Sequence, residues 1–208
     1  CDRQNRNRQN VNKKPQELTL TIAQGTNIMA DDAALAAAAR EDAAAFDALY
    51  RRYVTRVYRY CLLRCGNAQD AEDLTAQTFL AALEGLSRYR ERGTFGAWLF
   101  TIARRKCHDF HRRRYRHPQE PLAAAGTRPD VSAADPEIEA SEAIVGDCVA
   151  RVLPQLTEER QEVVRLRYGA GLSTAETAAV MGKGRSAVKM LLLRALNDLR
   201  ERCLDEDE

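Results

Sequence analysis

The chain has 208 residues, room for one or two small domains rather than a large enzyme barrel. Charged residues make up 30% and aromatics 6%, with alanine and leucine prominent, which favours helices over a β-sandwich and predicts an all-α protein. A net charge of +2 hides a segregation: arginines, lysines and all three histidines crowd 88–117, whereas 130–142 and the tail Asp205-Glu206-Asp207-Glu208 are acidic, so a polyanion is the expected partner of the basic stretch.

Residues 1–28 are rich in Asn, Gln and Arg and poor in large apolar side chains. They lack the basic-then-apolar layout of a signal peptide and are predicted to be a disordered leader. Met29 followed by "ADDAALAAAARED" reads as a start, which makes the leader a candidate non-native extension. No stretch approaches the ~20 apolar residues of a membrane span, so no membrane insertion is expected. Cysteines at 1, 61, 65, 107, 148 and 203 follow no compact disulfide spacing and fit a reducing cytoplasm. Cys61 and Cys65, four apart on a helical pattern, read as half-buried thiols.

From Phe46, the apolar positions Leu49, Tyr50, Tyr53, Val54, Val57, Tyr58, Cys61, Leu62 and Cys65 recur at three- and four-residue steps until Gly66-Asn67, which predicts an amphipathic helix. "DAEDLTAQTFLAALEGL" predicts a second one. Asp70 is its expected cap, Glu72 and Asp73 lie in its first turn, and Leu74, Phe79, Ala82, Leu83 and Leu86 form its apolar stripe. A glycine-containing break, "SRYRERGTF" (87–95), leads into "TFGAWLFTIARRKCHDFHRRRYRH" (94–117), which begins aromatic and ends basic. At 100° per residue, Leu99, Ile102, Ala103 and Phe110 share one side, while Thr101, Arg104, Arg105, His108, His111 and Arg112 gather on the other.

Two readings of that stretch stay open. Tyr89, Phe95, Trp98 and Phe100 lie just ahead of the cations, where aromatic faces beside a phosphate-neutralising groove suit stacking with unpaired bases. Equally, Phe95 and Trp98 fit a core. Cys107, His108 and His111 lack the fourth ligand and paired knuckles of a zinc site, so neither metal nor cofactor is expected. Asp70, Glu72 and Asp73 have no partnered His, Ser, Lys or phosphate loop, and first-turn acids serve the helix dipole, so no enzyme is expected.

Residues 117–142, with Pro118, Pro121, Pro129 and Pro136 among many small residues, have the composition of a flexible linker. Beyond it, "AIVGDCVARVLPQL" and "TEERQEVVRLRYGAG" predict two short helices, with Thr157 as a cap and Gly169 or Gly171 as a stop. Ser173 and Glu176 form an S-x-x-E capping box that opens a helix through Met181. Gly182-Lys183-Gly184 breaks it, and a longer helix follows from Arg185 to about Arg202. Helix, tight glycine turn, helix is the helix-turn-helix pattern, whose second helix presents its start to the major groove. That start carries Arg185, Ser186 and Lys189, with Arg194 further along; Val188, Leu192, Ala195, Leu196 and Leu199 are left for a core.

In this order, "DAEDLTAQTFLAAL", "TFGAWLFTIARRKCHDFHRRRYR", a linker and "LTEERQEVVRLRYGAGLSTAETAAVMGKGRSAVKMLLLRALNDLRE" resemble a bacterial RNA polymerase sigma factor of the extracytoplasmic-function type, over about 41–116 and 144–202. The resemblance implies two small helical domains, region 2 over 29–116 and region 4 over 143–203, joined by the linker 117–142 and followed by an acidic tail, 204–208. It implies core RNA polymerase, promoter DNA and an anti-sigma factor as partners. Glu72, Asp73 and Gln77 would dock on the polymerase. Tyr89, Arg90, Phe95, Trp98, Thr101, Arg104, Arg105, His108, His111 and Arg112 would recognise and open the minus-ten element. Thr174, Arg185, Ser186, Lys189 and Arg194 would read the minus-thirty-five element.

The chain departs from the family pattern in places. Ala76-Gln77 stands where Gln-Glu is common, Ala103-Arg104-Arg105 where Ala-Arg-Asn is, and Val188-Lys189-Met190-Leu191-Leu192 drops an expected cation. Met190, Leu191 and Leu193 then form an apolar set suited either to a partner or to a locally thickened core. Two rivals carry distinct expectations. A stand-alone helix-turn-helix regulator binds operator DNA tightly without polymerase and leaves a symmetric footprint. A carboxylate-based enzyme binds a divalent metal at Asp70, Glu72 and Asp73.

Overall fold

Caps, glycine stops and apolar periodicity yield helices alone: among residues 31–90, 93–116 and 148–205, which the computed structural model describes, there is no strand. The leader 1–28 and the linker 117–142 lie outside these residues. A short helix, α1, covers 31–38. Helix α2 (Ala43–Cys65) starts where the Asp42 carboxylate accepts the Ala44 N–H, and it stops at Gly66. Gly66 sits at φ 81°, a left-handed conformation that favours glycine.

Helix α3 (Ala68–Gly85) is capped one residue before its first turn by Asn67, whose side chain accepts the Asp70 N–H. Asp70, the expected cap, lies inside the first turn instead. Its carboxylate still complements the dipole there. Helix α4 (Phe95–Arg116) runs 22 residues, about 33 Å at 1.5 Å per residue. These three helices pack on one another around Leu49, Val57, Cys61, Leu74, Phe79, Leu99, Ala103 and Cys107. Leu83 is not part of that core. The buried face of α3 runs through Ala71, Leu74, Thr75, Thr78, Phe79 and Ala82, and Leu83, one further step of 100° around the axis, turns outward.

The second unit begins with α5 (148–152) and a 3₁₀ turn, Leu153–Gln155. Helix α6 (Glu158–Val164) runs into a π turn, Arg165–Gly169. Thr157 occupies the cap position of α6, yet its side chain makes no capping bond. Helix α7 (Thr174–Met181) opens with the expected capping box, Ser173 accepting from the Glu176 N–H and Glu176 accepting from the Ser173 N–H. Gly182, at φ 64°, ends it. Helix α8 (Arg185–Asp205) then packs Val188, Ala195 and Leu199 onto Val152, Leu156 and Val163.

Cys148 and Cys203 form a disulfide that ties α5 to the last turn of α8. The pairing joins residues 55 apart in sequence, a spacing that no local pattern announces. Cross-linking a loop of that length restricts the unfolded chain and stabilises the fold by up to about 4 kcal/mol. Cys148→Ser, or reduction with dithiothreitol, is therefore expected to lower the denaturant midpoint of unfolding, and the reductant should have no further effect on the variant.

The two units are joined by more than a linker. Leu166, Ala170, Leu172 and Val180 of the second unit are buried in the core of the first. α7 stands against α4, and the π turn stands against α2.

Candidate nucleic-acid interface

The basic side of α4 is placed by the burial of the opposite side. Leu99, Ala103 and Cys107 point inward with no exposure, as does Phe100; Ile102 and Phe110 are half-buried. This leaves Thr101, Arg105, His108, His111 and Arg112 exposed along the helix, with Arg113, Arg114 and Arg116 beyond them. Arg114 reaches back to Asp70 on α3 at 3.5 Å. Arg104 is half-buried and is drawn off the row, its Nε 3.2 Å from Glu162 of α6.

The aromatic residues take the core option. Tyr89 and Phe95 are buried, and their rings meet edge to face with centroids 5.8 Å apart. Half-buried Trp98 completes the cluster at 4.9 Å from Tyr89 and 5.5 Å from Phe95. Stacking on bases is thus not available to Tyr89, Phe95 or Phe100 in this packing, because their faces are occupied by neighbours. Arg90, next to the cluster, is exposed.

His108 and His111, exposed yet partly desolvated by the helix surface around them, both have pKa values below the ordinary imidazole value, first because of that desolvation and then because the Arg64 guanidinium repels a second positive charge. The sign follows. Folded protein binds fewer protons here than unfolded protein does, so this contribution is intact above about pH 6.5 and fades as the pH falls below it. Glu158 is lowered as well, through the hydrogen bond it accepts from Arg64, which for a carboxylate favours the charged form. It resists loss until lower pH. Thermal unfolding is accordingly expected at a lower midpoint at pH 5.5 than at pH 7.5, and His108→Gln with His111→Gln should flatten that dependence.

Cys107 does not join the histidines: its Sγ lies 3.9 Å from Cys61 Sγ in the core, and its hydrogen bond to that thiol, followed by burial, pushes its pKa up. Among the described residues no group of three or more His, Cys, Asp or Glu is placed to hold a metal ion.

At the other end of the chain, Arg185, Ser186, Lys189 and Arg194 are exposed on α8, while Thr174 is half-buried in the first turn of α7. The first three lie on the opening turns of α8, over buried Val188. Met190 and Leu193 are also exposed, at 49% and 52%, whereas Leu191 is half-buried against the core.

A second surface lies on α3. Glu72, Asp73 and Gln77 are exposed, and Leu80 and Leu83 continue the same face at 58% and 49% exposure. Leu80 is missing from the expected apolar stripe, and Leu83 was expected in the core. Stepping by three and four from Asp73 through Ala76, Gln77, Leu80, Leu83 and Glu84 traces one side of the helix, and that periodicity was the available signal.

The junction between the units holds residues that no motif singles out. Glu162 is 2% exposed. It accepts hydrogen bonds from Tyr60 Oη at 2.7 Å and from Arg64 at 3.1 Å. Arg64 also donates to Glu158 at 2.7 Å. Burial works against the Arg64 charge, but the pull of Glu162, Tyr60 and Glu158 outweighs it and its pKa is raised.

The geometry is matched by known proteins. The model of sigma-70 region 2 matches residues 49–117, and that of sigma-70 region 4 matches residues 152–201. The chain is 39% identical over 170 residues to the ECF RNA polymerase sigma factor BldN of Streptomyces coelicolor, covering 80% of this chain and 62% of that protein's length. It is 34% identical over 194 residues to the ECF RNA polymerase sigma factor SigD of Mycobacterium tuberculosis, covering 88% of this chain and 90% of the relative. Among solved structures, CnrH in complex with the cytosolic domain of CnrY is similar at a TM-score of 0.64 and 28% identity, over 86% of this chain and 99% of that one. The sigma factor RpoE of Bartonella quintana, in complex with the anti-sigma factor NepR, shares the fold at a TM-score of 0.61 and 21% identity, over 78% of this chain and 98% of that one. Two family regions in the right order and relatives matched over most of the chain place it plainly: it belongs to the sigma-70 family of transcription initiation factors, among those of the extracytoplasmic-function type, which are not enzymes.

Proposed function

We propose that this chain binds core RNA polymerase and directs it to a class of promoters. The observation that carries the reading is the presence, on one chain, of three separate exposed surfaces with complementary chemistry: the acidic and apolar face of α3, the basic row of α4 and the basic start of α8. Asp73, Gln77 and Glu72 dock on the polymerase with Leu80 and Leu83 beside them. Thr101, Arg105, His108, His111 and Arg112 hold the minus-ten DNA, joined by Arg90, and by Arg104 once it leaves Glu162. Phosphate contacts from such a row fix register and hold strands apart, and they weaken with salt. Tyr89, Phe95 and Trp98 support this helix from inside.

On the minus-thirty-five element, α8 enters the major groove with Arg185, Ser186 and Lys189, while Thr174 and Arg194 approach the backbone on either side. Acting with polymerase, the chain works in the cytoplasm. No described helix is long and apolar enough to cross a membrane. An anti-sigma factor is the proposed regulatory partner, in line with the RpoE structure, where NepR is bound.

Holoenzyme binding to promoter DNA tests these roles. Arg185→Ala and Lys189→Ala are each expected to cost about 1–3 kcal/mol at a matched minus-thirty-five site and much less at a scrambled one. Arg105→Ala should weaken binding similarly on every sequence and lower the salt dependence by about one phosphate contact. Equal losses for Arg185→Ala on matched and scrambled sites would remove α8 from base reading.

A further inference from the structure

The fold takes away the aromatic faces that the sequence offers for base stacking: Tyr89 and Phe95 pack on each other, Trp98 closes that cluster, and Phe100 is buried. One aromatic ring of α4 stays open to solvent. Tyr115, in the last turn, is 89% exposed, more than any other large apolar residue described. It follows His111 by four residues, Arg112 by three and His108 by seven. At 100° per residue those steps place Tyr115 about 40° from His111, 60° from Arg112 and 20° from His108, so its ring continues the basic row.

The neighbours of this ring are cations. Arg112 is 3.1 Å from the Asp109 carboxylate, and Arg113 donates to the Asp109 carbonyl at 3.3 Å. Arg114 stands over the Phe110 ring, 6.0 Å from its centroid, and reaches Asp70. These three arginines are thus drawn onto α3 and α4 and leave the Tyr115 ring uncovered. No other large apolar side chain of α4 is exposed. A protein partner that buries apolar surface needs a patch, and a lone ring among arginines offers none. A ligand that is flat and anionic at once suits it. Nucleic acid has both features, a base with a π-face and a phosphate on every nucleotide.

The state of the strand decides whether the ring can be used. In a duplex both faces of each base are covered by its neighbours, so the row can hold phosphates but Tyr115 has no face to meet. An unpaired strand exposes its bases. From Thr101 to Tyr115 the row is about 21 Å long at 1.5 Å per residue, which matches about six phosphates of one strand at 3.4 Å each. The cations hold that length of backbone, and a base at its end reaches the ring. Stacking on an aromatic side chain tolerates any base, so the contact favours an open strand whatever its sequence.

We propose that Tyr115 is a base-stacking residue at the end of the basic row of α4, and that it makes this row prefer a single DNA strand to a duplex. This rests on the DNA-binding reading of α4, to which it adds a contact that separates the two states of the strand.

The test measures the fluorescence anisotropy of a labelled, mixed-sequence DNA strand of about 20 nucleotides, long enough to cover the row, and of its duplex. Each is titrated with the full chain bound to core polymerase, and core polymerase alone gives the background. Tyr115→Ala is expected to weaken single-strand binding at least about fivefold, the lower end of what one stacked base contributes, and duplex binding less than about twofold, with an unchanged salt dependence. Tyr115→Phe, which keeps the ring, binds as the wild type does. Arg105→Ala weakens binding to both forms and lowers the salt dependence of both. Equal losses on strand and duplex with Tyr115→Ala, no loss at all, or a Tyr115→Phe as weak as Tyr115→Ala overturns the stacking role. So does a drop in affinity for core polymerase itself, which would place Tyr115 in a protein contact. Losses confined to Arg105→Ala overturn the stacking role alone. Wild-type binding no higher than the background on either form, or an Arg105→Ala that changes nothing, overturns the DNA-binding reading of α4 and the stacking role with it.

Discussion

Asp73→Arg is expected to abolish promoter-directed transcription by core polymerase and to leave the protein folded. Asp73 is exposed on α3 and makes no contact that holds the helix in place. A surface change of this kind alters stability by no more than about 0.5 kcal/mol, a shift of about 2 °C or less in melting midpoint for a chain of this size. Its neighbours on the same face, Leu80 and Leu83, are more than two-fifths exposed, the kind of apolar surface that an interface covers. Reversing the charge beside this apolar patch is expected to replace an attraction across the contact by a repulsion, with a loss of about 2 kcal/mol or more, about 30-fold in affinity. Leu80→Asp should act as strongly. Pull-down of core polymerase and the melting curve, taken together, check both halves of the expectation.

The second large effect is on stability. Phe100 has no exposure and meets Tyr60 edge to face with ring centroids 5.7 Å apart. The Arg56 guanidinium stands over the same ring, 5.9 Å from its centroid. One side chain thus supports α4, the α2 contact and the residues that hold region 4. Phe100→Ala removes a buried ring and leaves a cavity, at a cost of about 3–5 kcal/mol, a large part of the 5–15 kcal/mol that stabilises a typical domain. Urea unfolding measures it directly. Phe100→Leu, which keeps most of the volume, should lose less than half as much.

What the sequence disclosed, it disclosed through local rules. The Ser173–Glu176 capping box, the left-handed stops at Gly66 and Gly182, and the break before Arg185 depend on residues a few positions apart, and all are present. Local rules also misled. Asp70 and Asn67 are both good caps, and the choice between them depends on where the preceding turn releases the chain. Leu83 looked like core because leucine usually is, although it lies one step of 100° off the buried face.

The candidate site was legible in its cations and not in its contacts. Arg105, His108, His111 and Arg112 lie on the exposed side of α4 as the helical projection places them, but Arg104, on the same projected side, turns to Glu162. That choice is tertiary: it depends on a carboxylate 58 positions further along being carried to α4 by the packing of Leu166 and Leu172. Tyr89 and Phe95 suited either stacking or burial by composition, and only the arrangement of α2 and α3 around them decided for burial. Cys148 and Cys203 became partners for the same reason, since α5 and the end of α8 meet only after region 4 has folded.

The most direct measurement is run-off transcription from genomic fragments by sigma-free core polymerase, with and without this protein, alongside Asp73→Arg. Discrete new start sites are expected with the protein, none without it and none with the variant, and the upstream sequences shared by those starts give the promoter. Absence of new starts and of polymerase binding, with a symmetric footprint left on DNA by the protein alone, would contradict this expectation and make the chain a stand-alone regulator.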